Sequence, residues 1–377
     1  MASRGIGYAA INCVGGLART PTHPHKGTSD KRNRCERVQM LIGISGTVCA
    51  GKTEVARYLT FQGFERIALL EPSLEEKGNL NGNYDVGNDD GDESLRPKNV
   101  FTNIGQLVDF VTENYRDNYV LCDVERLDVL EALQKRPFFL HVSIDAPVQR
   151  RHLRLKAKNK TEILLTSFIE MCDLQLYSKP HPLAQIMNQA QIKIINSSLS
   201  VKDLYVQLSE LKLLDKSRLR PSWDSYFMRL ADLAALRSNC MKRRVGCVVV
   251  RGNRVIATGY NGTPRNLPNC NEGGCPRCNM GHGSGAELST CLCLHAEENA
   301  LLEAGRDRIS GSHPDERGVL YCNTCPCLTC SIKIVQSGIK EVVYAQSYSM
   351  DESSHRVMSQ ANIILRQFLP PVEGVFI

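Results

Sequence analysis

The chain has 377 residues and a mass of 42.0 kDa, too long for one domain of about 150 residues, and we expect two domains. Hydrophobic residues make up 42% and charged residues 23% of the sequence, which is ordinary for a soluble globular protein. No apolar run approaches the ~18 residues of a membrane span. The net charge of +6 is modest, and no basic stripe is interleaved with aromatic residues. These features disfavour membrane and nucleic-acid partners and favour a small-molecule substrate.

Cysteine is unusually frequent, with 16 residues, of which 11 lie between Cys240 and Cys330. The N-terminal region has no apolar segment typical of a secretory signal, so we expect a reducing compartment. In such a compartment, clustered cysteines are metal ligands or buried thiols more often than disulfides. The sequence therefore predicts metal chemistry in the C-terminal half.

Residues 1–39 are glycine-rich and basic, with no acidic residue before Asp30 and no hydrophobic periodicity. We interpret them as a disordered basic tail and expect a cytoplasmic protein, with a nuclear location left open. A mitochondrial presequence is the alternative, but the segment lacks a clear amphipathic helix. Met40 directly precedes the first predicted strand and is an alternative translation start.

The N-terminal half opens with a predicted strand at residues 40–45, a glycine-rich loop at 46–53 and a helix from 54. The loop matches the pattern GxxxxGK[ST], in which backbone N–H groups and the helix N-terminus bind phosphate, the lysine neutralises charge and the hydroxyl binds Mg²⁺. A second strand, at 119–123, ends in an aspartate at the position of a Walker-B carboxylate. The predicted nucleotide-binding residues are Gly46, Gly51, Lys52, Thr53 and Asp123.

Strands alternate with helices through residues 40–215, which predicts a parallel sheet covered on both faces. This half resembles P-loop nucleoside monophosphate kinases and dephospho-coenzyme A kinases. A polar insert at 78–99 departs from those enzymes where they build the acceptor site, so a scaffold or nucleotide sensor is the alternative to phosphoryl transfer. A short basic linker follows at 216–222.

The C-terminal half shows an amphipathic helix from Trp223 and then two strands, 245–250 and 254–259, joined by a Gly-Asn pair suited to a hairpin turn. A helix from His295 to Ala304 ends at Gly305, a strand covers 319–322, a helix runs from Pro326 to Gly338, and a last strand covers 341–344. This order predicts a mixed sheet flanked by helices, with two helices packed on one face.

Two motifs in this half carry the chemistry. The first is His295-Ala296-Glu297, and the second, 28 residues later, is residues 326–330, with sequence PCLTC. One histidine and two cysteines provide three ligands for a tetrahedral zinc and leave a fourth position for water. Cys327 and Cys330 are three residues apart, so both thiolates face one way from the first turn of a helix. A glutamate beside such a site can move the protons of that water.

The C-terminal half resembles the deoxycytidylate deaminase family, and the two-domain arrangement resembles its fungal form. The resemblance covers about residues 220–360 and rests on residues 220–228, 237–238, 259–262, 295–297, 326–330 and 337–343. Cytidine deaminases have cysteine in place of the histidine, and tRNA adenosine deaminases have a short segment after the asparagine loop. Here 33 residues separate Asn261 from His295, which favours the deoxycytidylate group.

The resemblance implies hydrolysis of dCMP to dUMP and ammonia, for thymidylate synthesis, by a cytidine-deaminase-like α/β/α sandwich. It implies that water attacks C4 of cytosine while Glu297 transfers protons to N3 and to the departing amine. Asn261 matches the asparagine that contacts the sugar, and the backbone at Ala296 matches a base contact. The candidates for the 5′-phosphate are Arg237, Ser238 and Tyr348, although Ser349 replaces a histidine found in many relatives.

The insert between Asn261 and His295 carries many cysteines. Some relatives bind a second, structural zinc in this region, and free thiols are the alternative. The candidate ligands are Cys270, Cys275, Cys278, His282, Cys291 and Cys293.

Two other functions stay open from the sequence, a nucleotide kinase with a vestigial deaminase and a deaminase of cytosine in polynucleotides. The resemblance also implies a homo-oligomer, commonly a hexamer, activated by dCTP and inhibited by dTTP, with Mg²⁺ as a possible companion of the bound nucleotide. We place the deaminase domain at 223–362 and a C-terminal tail at 363–377.

Overall fold

A computed structural model describes residues 39–70, 95–159, 162–281, 283, 286–311, 316–347, 352–369 and 374–376. The chain divides into the segment Met1–Arg37 and one compact unit, Val38–Ile377. Most of the predicted tail 1–39 and of the insert 78–99 lies outside the described residues. Among the helices that are described, none is long and apolar enough to cross a membrane.

The N-terminal half alternates strands and helices, as the sequence predicts. Its strands are β1 (Leu41–Gly46), β2 (Glu65–Leu69), β3 (Asn99–Phe101), β4 (Tyr119–Leu121), β5 (Phe139–Asp145) and β6 (Ile192–Ile195). Its helices are α1 (Lys52–Phe61), α2 (Ile104–Glu113), α3 (Leu127–Gln134), α4 (Val148–Asn159), α5 (Leu165–Tyr177), α6 (Leu183–Asn188) and α7 (Val201–Glu210).

The strands of this half form a parallel sheet with β1 between β4 and β5. Strand β1 is buried along its whole length, as expected for a central parallel strand covered on both faces. Alternate residues enter two separate cores. Ile42 and Ile44 pack with α1 and α7 in one, whereas Leu41 packs with α2 and α3 in the other. The predicted parallel sheet with helices on both faces is confirmed.

The C-terminal half follows a short 3₁₀ turn at Lys216–Arg218. Its helices are α8 (Trp223–Ala235), α9 (Pro276–Asn279), α10 (Ala296–Ala304), α11 (Arg306–Ile309), α12 (Leu328–Ser337) and α13 (Glu352–Gln360). Its strands are β7 (Gly246–Arg251), β8 (Arg254–Tyr260), β9 (Val319–Thr324), β10 (Glu341–Gln346) and β11 (Ile364–Gln367).

These five strands form a mixed sheet in the order β11-β10-β9-β7-β8. Strand β7 is antiparallel to β8 and β9, whereas β9, β10 and β11 are parallel. Gly252 and Asn253 have φ values of 56° and 58°, so both central residues of the β7–β8 turn are left-handed, the geometry of a tight hairpin. Helices α10 and α12 pack on one face with Cys247, Leu320 and Val342, and α8 packs on the other with Val248 and Val343. The predicted mixed sheet with two helices on one face is confirmed.

The segment 363–377, predicted to be a tail, contains strands. Ile364–Gln367 pairs in parallel with β10, and β12 (Gly374–Phe376) pairs with β6 at the edge of the N-terminal sheet. Strands of three and four residues are too short to show a clear alternation of polar and apolar side chains, so their pairing partners define them. The C-terminal segment therefore completes both sheets.

Candidate functional site

Three side chains converge between the N-terminal ends of α10 and α12. His295 is the N-cap residue of α10 and Cys327 that of α12, while Cys330 lies in the first turn of α12. The Nδ1 atom of His295 is 3.4 Å from Sγ of Cys327 and 3.3 Å from Sγ of Cys330. A tetrahedral zinc with Zn–N of about 2.0 Å and Zn–S of about 2.3 Å separates such atoms by about 3.5 Å. The donor set and its spacing therefore fit one zinc ion, as predicted.

Local structure favours a thiolate at Cys327, whereas the hydrogen bond with Cys327 and burial raise the pKa of the Cys330 thiol. The first turn of a helix presents unpaired N–H groups and the positive end of the helix dipole, which stabilise a negative sulfur. Hydrogen bonds with Cys330 and His295 lower the pKa of Cys327 to about 4. His295 is exposed whereas Cys330 is buried, so the site is open to solvent on the side of His295.

Glu297 lies in the first turn of α10, two residues after His295. Its side chain is only 4% exposed, and this burial raises the pKa of the carboxyl above its usual range. The neighbouring helix residues Ala296, Ala300 and Ala304 are buried against the sheet, and their small side chains let α10 approach it closely. A buried carboxyl with a raised pKa beside a metal site is suited to carrying a proton during catalysis.

Asn261 follows β8 and is 8% exposed. Its Oδ1 accepts a 2.8 Å hydrogen bond from the backbone N–H of Val245, and its Nδ2 donates a 2.8 Å bond to the carbonyl of Arg243. A carboxamide has two donors and two acceptor lone pairs, so one donor and one lone pair are not used by these two bonds. The contact of Asn261 with the sugar stays a prediction. Its two backbone hydrogen bonds also hold the loop after β8 against Arg243 and Val245.

The other substrate-binding candidates differ in their surroundings. Arg237 is exposed just after α8, and Ala296 is fully buried. Ser238 is buried and donates a 2.7 Å hydrogen bond to the carbonyl of Asn261. Tyr348 lies outside the described residues. Of the proposed phosphate ligands, only Arg237 has a solvent-facing side chain within the part of the chain that is described.

The glycine-rich loop connects β1 to α1, and its lysine is tied to two carboxylates. Lys52 Nζ is 3.0 Å from the carbonyl of Gly46, 2.9 Å from Asp123 and 3.3 Å from Glu125. Burial alone would lower the pKa of Lys52, but the two carboxylates raise it above its usual range, so the amine is charged. The structure therefore brings Lys52 and Asp123 together, as the sequence predicts for this loop.

The loop is shaped by close backbone contacts. A Cβ atom at Gly46 would lie 2.3 Å from the carbonyl oxygen of Ile144, and Gly51 has a φ of 116°, so both positions require glycine. Thr53 is exposed in the first turn of α1. Arg154 of the basic helix α4 donates to the carbonyls of Cys49 and Ala50 at 3.3 and 3.2 Å. Helix α4 therefore contacts the glycine-rich loop through Arg154.

The cysteine-rich insert brings five of its predicted ligands together. Their sulfur atoms form two overlapping groups of possible metal ligands, and a sixth cysteine, Cys240, belongs to one of them. Sequence reasoning missed Cys240 because it lies 30 residues before Cys270, outside the insert. Its position two residues after Ser238, whose hydroxyl contacts Asn261, was the available signal. His282 lies outside the described residues.

Comparison with known proteins agrees with this geometry. Residues 221–346 match the family described as the cytidine and deoxycytidylate deaminase zinc-binding region. This range contains His295, Glu297, Cys327 and Cys330. The fold and the site together define a deaminase of the zinc-binding class.

Two relatives that are similar over most of the chain identify the family within this class. The deoxycytidylate deaminase of Schizosaccharomyces pombe is 47% identical over 338 residues, which is 89% of this chain and 99% of that protein. The deoxycytidylate deaminase of Saccharomyces cerevisiae is 51% identical over 289 residues, 72% of this chain and 87% of that protein. The chain belongs to the deoxycytidylate deaminase family, and the resemblance found in the sequence is confirmed.

Among solved structures, the dCMP deaminase of cyanophage S-TIM5 in complex with dCMP and dUMP is 29% identical. It covers 40% of this chain and 98% of its own chain, with a TM-score of 0.31.

Proposed function

We propose that this chain is a hydrolase that converts dCMP and water to dUMP and ammonia, with zinc held by His295, Cys327 and Cys330. The observation that carries the proposal is the buried Glu297 carboxyl beside a three-ligand site that fits zinc. The family supports dCMP as the substrate, since its near full-length relatives are named deoxycytidylate deaminases. Three protein ligands also fit catalysis better than a structural zinc, which has four.

Zinc, when bound, supplies a Lewis acid that lowers the pKa of water to about 7. The protein provides the proton transfers. Glu297 accepts a proton from the attacking water and donates it to N3 of the base. It then takes the second proton of that water, from the new hydroxyl on C4, and passes it to the amine as the C4–N bond breaks. Because burial raises the pKa of this carboxyl, its protonated form is less costly than that of an exposed glutamate. The water oxygen ends on C4, and the amino group leaves as ammonia.

Asn261 and Arg237 are the proposed contacts for the nucleotide outside the base. The two backbone bonds of Asn261 leave one donor and one lone pair of its carboxamide, which suit a sugar hydroxyl. Arg237 is an exposed cation that suits the 5′-phosphate. The backbone of Ala296, between the zinc ligand and the proton carrier, is the proposed contact for the base. Tyr348 remains a further phosphate candidate.

Ammonia release from dCMP, cytidine and single-stranded DNA tests the proposal. We expect activity on dCMP and a loss of about 10²–10⁴-fold in Glu297→Gln with zinc retained. Glu303→Gln is the matched control, because Glu303 is an exposed carboxylate on the same helix, and we expect it to be as active as the wild type. An active Glu297→Gln variant would overturn the mechanism. Activity on single-stranded DNA but not on dCMP would replace the substrate with a polynucleotide.

We further propose that residues 46–53 bind the phosphates of a nucleotide, with Mg²⁺ near Thr53 and Asp123. Support comes from the order of strand, loop and helix, from Gly51 in the left-handed region and from the charged Lys52 at the start of α1. In this proposal the N-terminal half is a sensor for nucleotide effectors of the deaminase, such as dCTP as activator and dTTP as inhibitor. A kinase is the alternative that the same loop allows.

Binding of ATP, dCTP and dTTP by calorimetry tests the loop, with Lys52→Ala as the variant and Lys135→Ala, an exposed lysine, as control. We expect Lys52→Ala alone to lose nucleotide binding and the response of dCMP deamination to the same nucleotide. Binding that survives Lys52→Ala would contradict the proposal. Transfer of phosphate from ATP to dCMP, abolished by Lys52→Ala, would instead establish the kinase.

Two further proposals concern assembly and the insert. A homo-oligomer, with a hexamer as the expected form, is tested by sedimentation of the full chain with and without dCTP. The cysteine-rich insert is proposed to hold a structural metal, because the sulfur atoms of Cys275, Cys278, Cys291 and Cys293 lie within 4.8 Å of one another.

A further inference from the structure

Six cysteine side chains lie together near the catalytic site. A single tetrahedral zinc needs only four of them. The sulfur atoms fall into two groups of four, each within 4.8 Å. The first group is Cys240, Cys270, Cys278 and Cys293, and the second is Cys275, Cys278, Cys291 and Cys293. Cys278 and Cys293 belong to both groups. We refer to the six residues as the six-cysteine cluster.

The distances fit tetrahedral metal sites. With Zn–S bonds of about 2.3 Å, two thiolates on one zinc lie about 3.8 Å apart. The Sγ atoms of Cys240 and Cys278 are 3.8 Å apart, and those of Cys275 and Cys291 are 3.9 Å apart. The shared pair, Cys278 and Cys293, is separated by 4.0 Å. One of these three S–S distances lies in the first group, one lies in the second, and the third joins the two shared sulfur atoms. Two tetrahedra that share an edge have this arrangement.

Disulfides do not account for these contacts. A disulfide brings its sulfur atoms to about 2.05 Å, and all six cysteines are free thiols. An iron–sulfur cluster spreads its four cysteine ligands over two or four iron atoms joined by inorganic sulfide, whereas here the four sulfur atoms of each group all lie within 4.8 Å of one another. Mononuclear tetrahedral sites that share ligands therefore fit better.

Among its described residues, the insert buries no hydrophobic side chain other than cysteine. Cys270 and Cys275 are fully buried and Cys278 is 5% exposed. These three cysteines form a buried cluster, and the other three cysteines pack against it, namely Cys291 and Cys293 of the insert and Cys240, which precedes it. Six packed thiols bury too little apolar area to order a loop of this length, so metal binding would supply the missing free energy of folding.

Hydrogen bonds point at the sulfur atoms, as they do around metal-bound thiolates. The backbone N–H of Met241 donates to Cys270 Sγ at 3.4 Å, and that of Leu292 donates to Cys275 Sγ at 3.4 Å. Arg277 Nη1 lies 3.8 Å from Cys291 Sγ. Sharing two thiolates also limits the negative charge, because two divalent ions on six thiolates carry the same net charge as one ion on four.

We propose that the six-cysteine cluster binds two zinc ions, with Cys278 and Cys293 bridging them. The inference rests on the proposed structural metal in the insert and changes its stoichiometry from one ion to two. Each zinc has four sulfur ligands and no open position, so both are structural. With the catalytic zinc, the chain carries three zinc ions.

The cluster includes residues close in sequence to the zinc ligand His295 and to Ser238, which contacts Asn261. Cys293 lies two residues before His295, and between them Leu294 exchanges backbone hydrogen bonds of 3.2 and 2.8 Å with Gly262, next to Asn261. On the other side, the backbone N–H of Cys240 donates to the hydroxyl of Ser238 at 3.3 Å. The two zinc ions therefore brace the residues that hold the catalytic metal and the substrate loop.

Zinc content of the full chain, purified under reducing conditions, tests this stoichiometry. We expect three zinc ions per chain by native mass spectrometry and elemental analysis, and two in the double variant His295→Ala with Cys327→Ser. The double variant removes only the catalytic site, so the cluster is counted even if the proposed deaminase function fails. One remaining zinc, or none with the six cysteines oxidised to disulfides, would overturn the proposal.

Substitution of single cysteines tests the bridge. Cys278→Ser should lower the content by two zinc ions, Cys240→Ser and Cys291→Ser by one each, and Cys122→Ser, outside the cluster, by none. If Cys278→Ser is insoluble, X-ray absorption spectroscopy of the His295→Ala, Cys327→Ser double variant tests the bridge. Two zinc ions that share thiolates should each show a second zinc within about 4 Å. Absence of that neighbour would overturn the bridged arrangement.

Discussion

The hydroxyl of Ser238 donates a 2.7 Å hydrogen bond to the backbone carbonyl of Asn261, and both residues are buried. This contact joins the end of α8 to the loop after β8. The sequence alone placed Ser238 among the phosphate ligands, but its hydroxyl is engaged in holding the loop. Ser238 therefore holds the backbone of Asn261 in place, and its contact with the phosphate stays a prediction.

Ser238→Ala should lower the free energy of unfolding by about 1–3 kcal/mol, because the buried carbonyl of Asn261 loses its donor. A displaced Asn261 should lower kcat/KM for dCMP and for deoxycytidine by similar factors, since both substrates carry the sugar. Thermal unfolding and steady-state kinetics measure the two effects, with Ser359→Ala, an exposed serine, as control. Unchanged stability with a loss confined to dCMP would instead identify Ser238 as a phosphate ligand.

Gly259 sets the distance between β8 and the catalytic helix α10. A Cβ atom there would lie 2.2 Å from the carbonyl oxygen of Ala296 and 2.5 Å from the N atom of Ala300. Gly259→Ala should therefore push α10 away from the sheet, destabilise the protein by about 1–3 kcal/mol and lower deamination more than zinc content, because Glu297 moves with the helix. Thr258→Ala, at the exposed neighbouring position, serves as control. A fully active Gly259→Ala enzyme would show that this close approach is not required.

Asp224 connects α8 to the sheet through charged hydrogen bonds. Arg366 of β11 donates to its two carboxylate oxygens at 2.8 and 3.1 Å, and the hydroxyl of Tyr321 donates at 2.8 Å. The guanidinium of Arg366 lowers the pKa of Asp224 below its usual range. Since Arg366 is 39% exposed, water screens the pair, and we expect Asp224→Asn to cost about 1–2 kcal/mol of stability at pH 7.

The pH dependence of that difference follows from the lowered pKa. Stabilisation by a carboxylate whose folded pKa is depressed is complete above its unfolded pKa of about 3.9 and is lost as the pH falls through the folded value. The stability gap between wild type and Asp224→Asn should thus be constant from neutral pH to about 5 and narrow below about 4. Urea titrations across this range measure it, with Asp307→Asn, an exposed aspartate, as control. A gap that widens in acid would contradict the assignment.

The order of elements and the convergence of His295, Cys327 and Cys330 could be predicted because they depend on local signals. Gly305 and Gly338 end α10 and α12 at the positions expected. His295 and the Cys-x-x-Cys pair each sit at a helix N-terminus, where spacing in sequence fixes the direction of a side chain. Local pattern and local geometry therefore agree at the catalytic zinc site.

Contacts between distant segments could not be predicted in the same way. Cys240 reaches Cys278 only because the chain folds back after β8, and Arg366 reaches Asp224 only because β11 pairs with β10. Strand β12 likewise depends on a partner in the other sheet. Each of these features is set by tertiary pairing, for which a single sequence carries no periodic signal.

Asp123 and Lys52 lie 2.9 Å apart, and a bound nucleotide would exchange this contact for phosphate and Mg²⁺. Asp123→Asn should tighten nucleotide binding without Mg²⁺, because Lys52 loses a competing carboxylate, and should abolish the gain in affinity on adding Mg²⁺, because a hard cation prefers a carboxylate ligand. Glu125→Gln is the matched control, since Glu125 also contacts Lys52 at 3.3 Å but is not the residue at the end of the strand. It should tighten Mg²⁺-free binding and keep the Mg²⁺ response. Calorimetry with and without Mg²⁺ separates the two roles, and equal Mg²⁺ responses in both variants would show that Asp123 only positions the lysine.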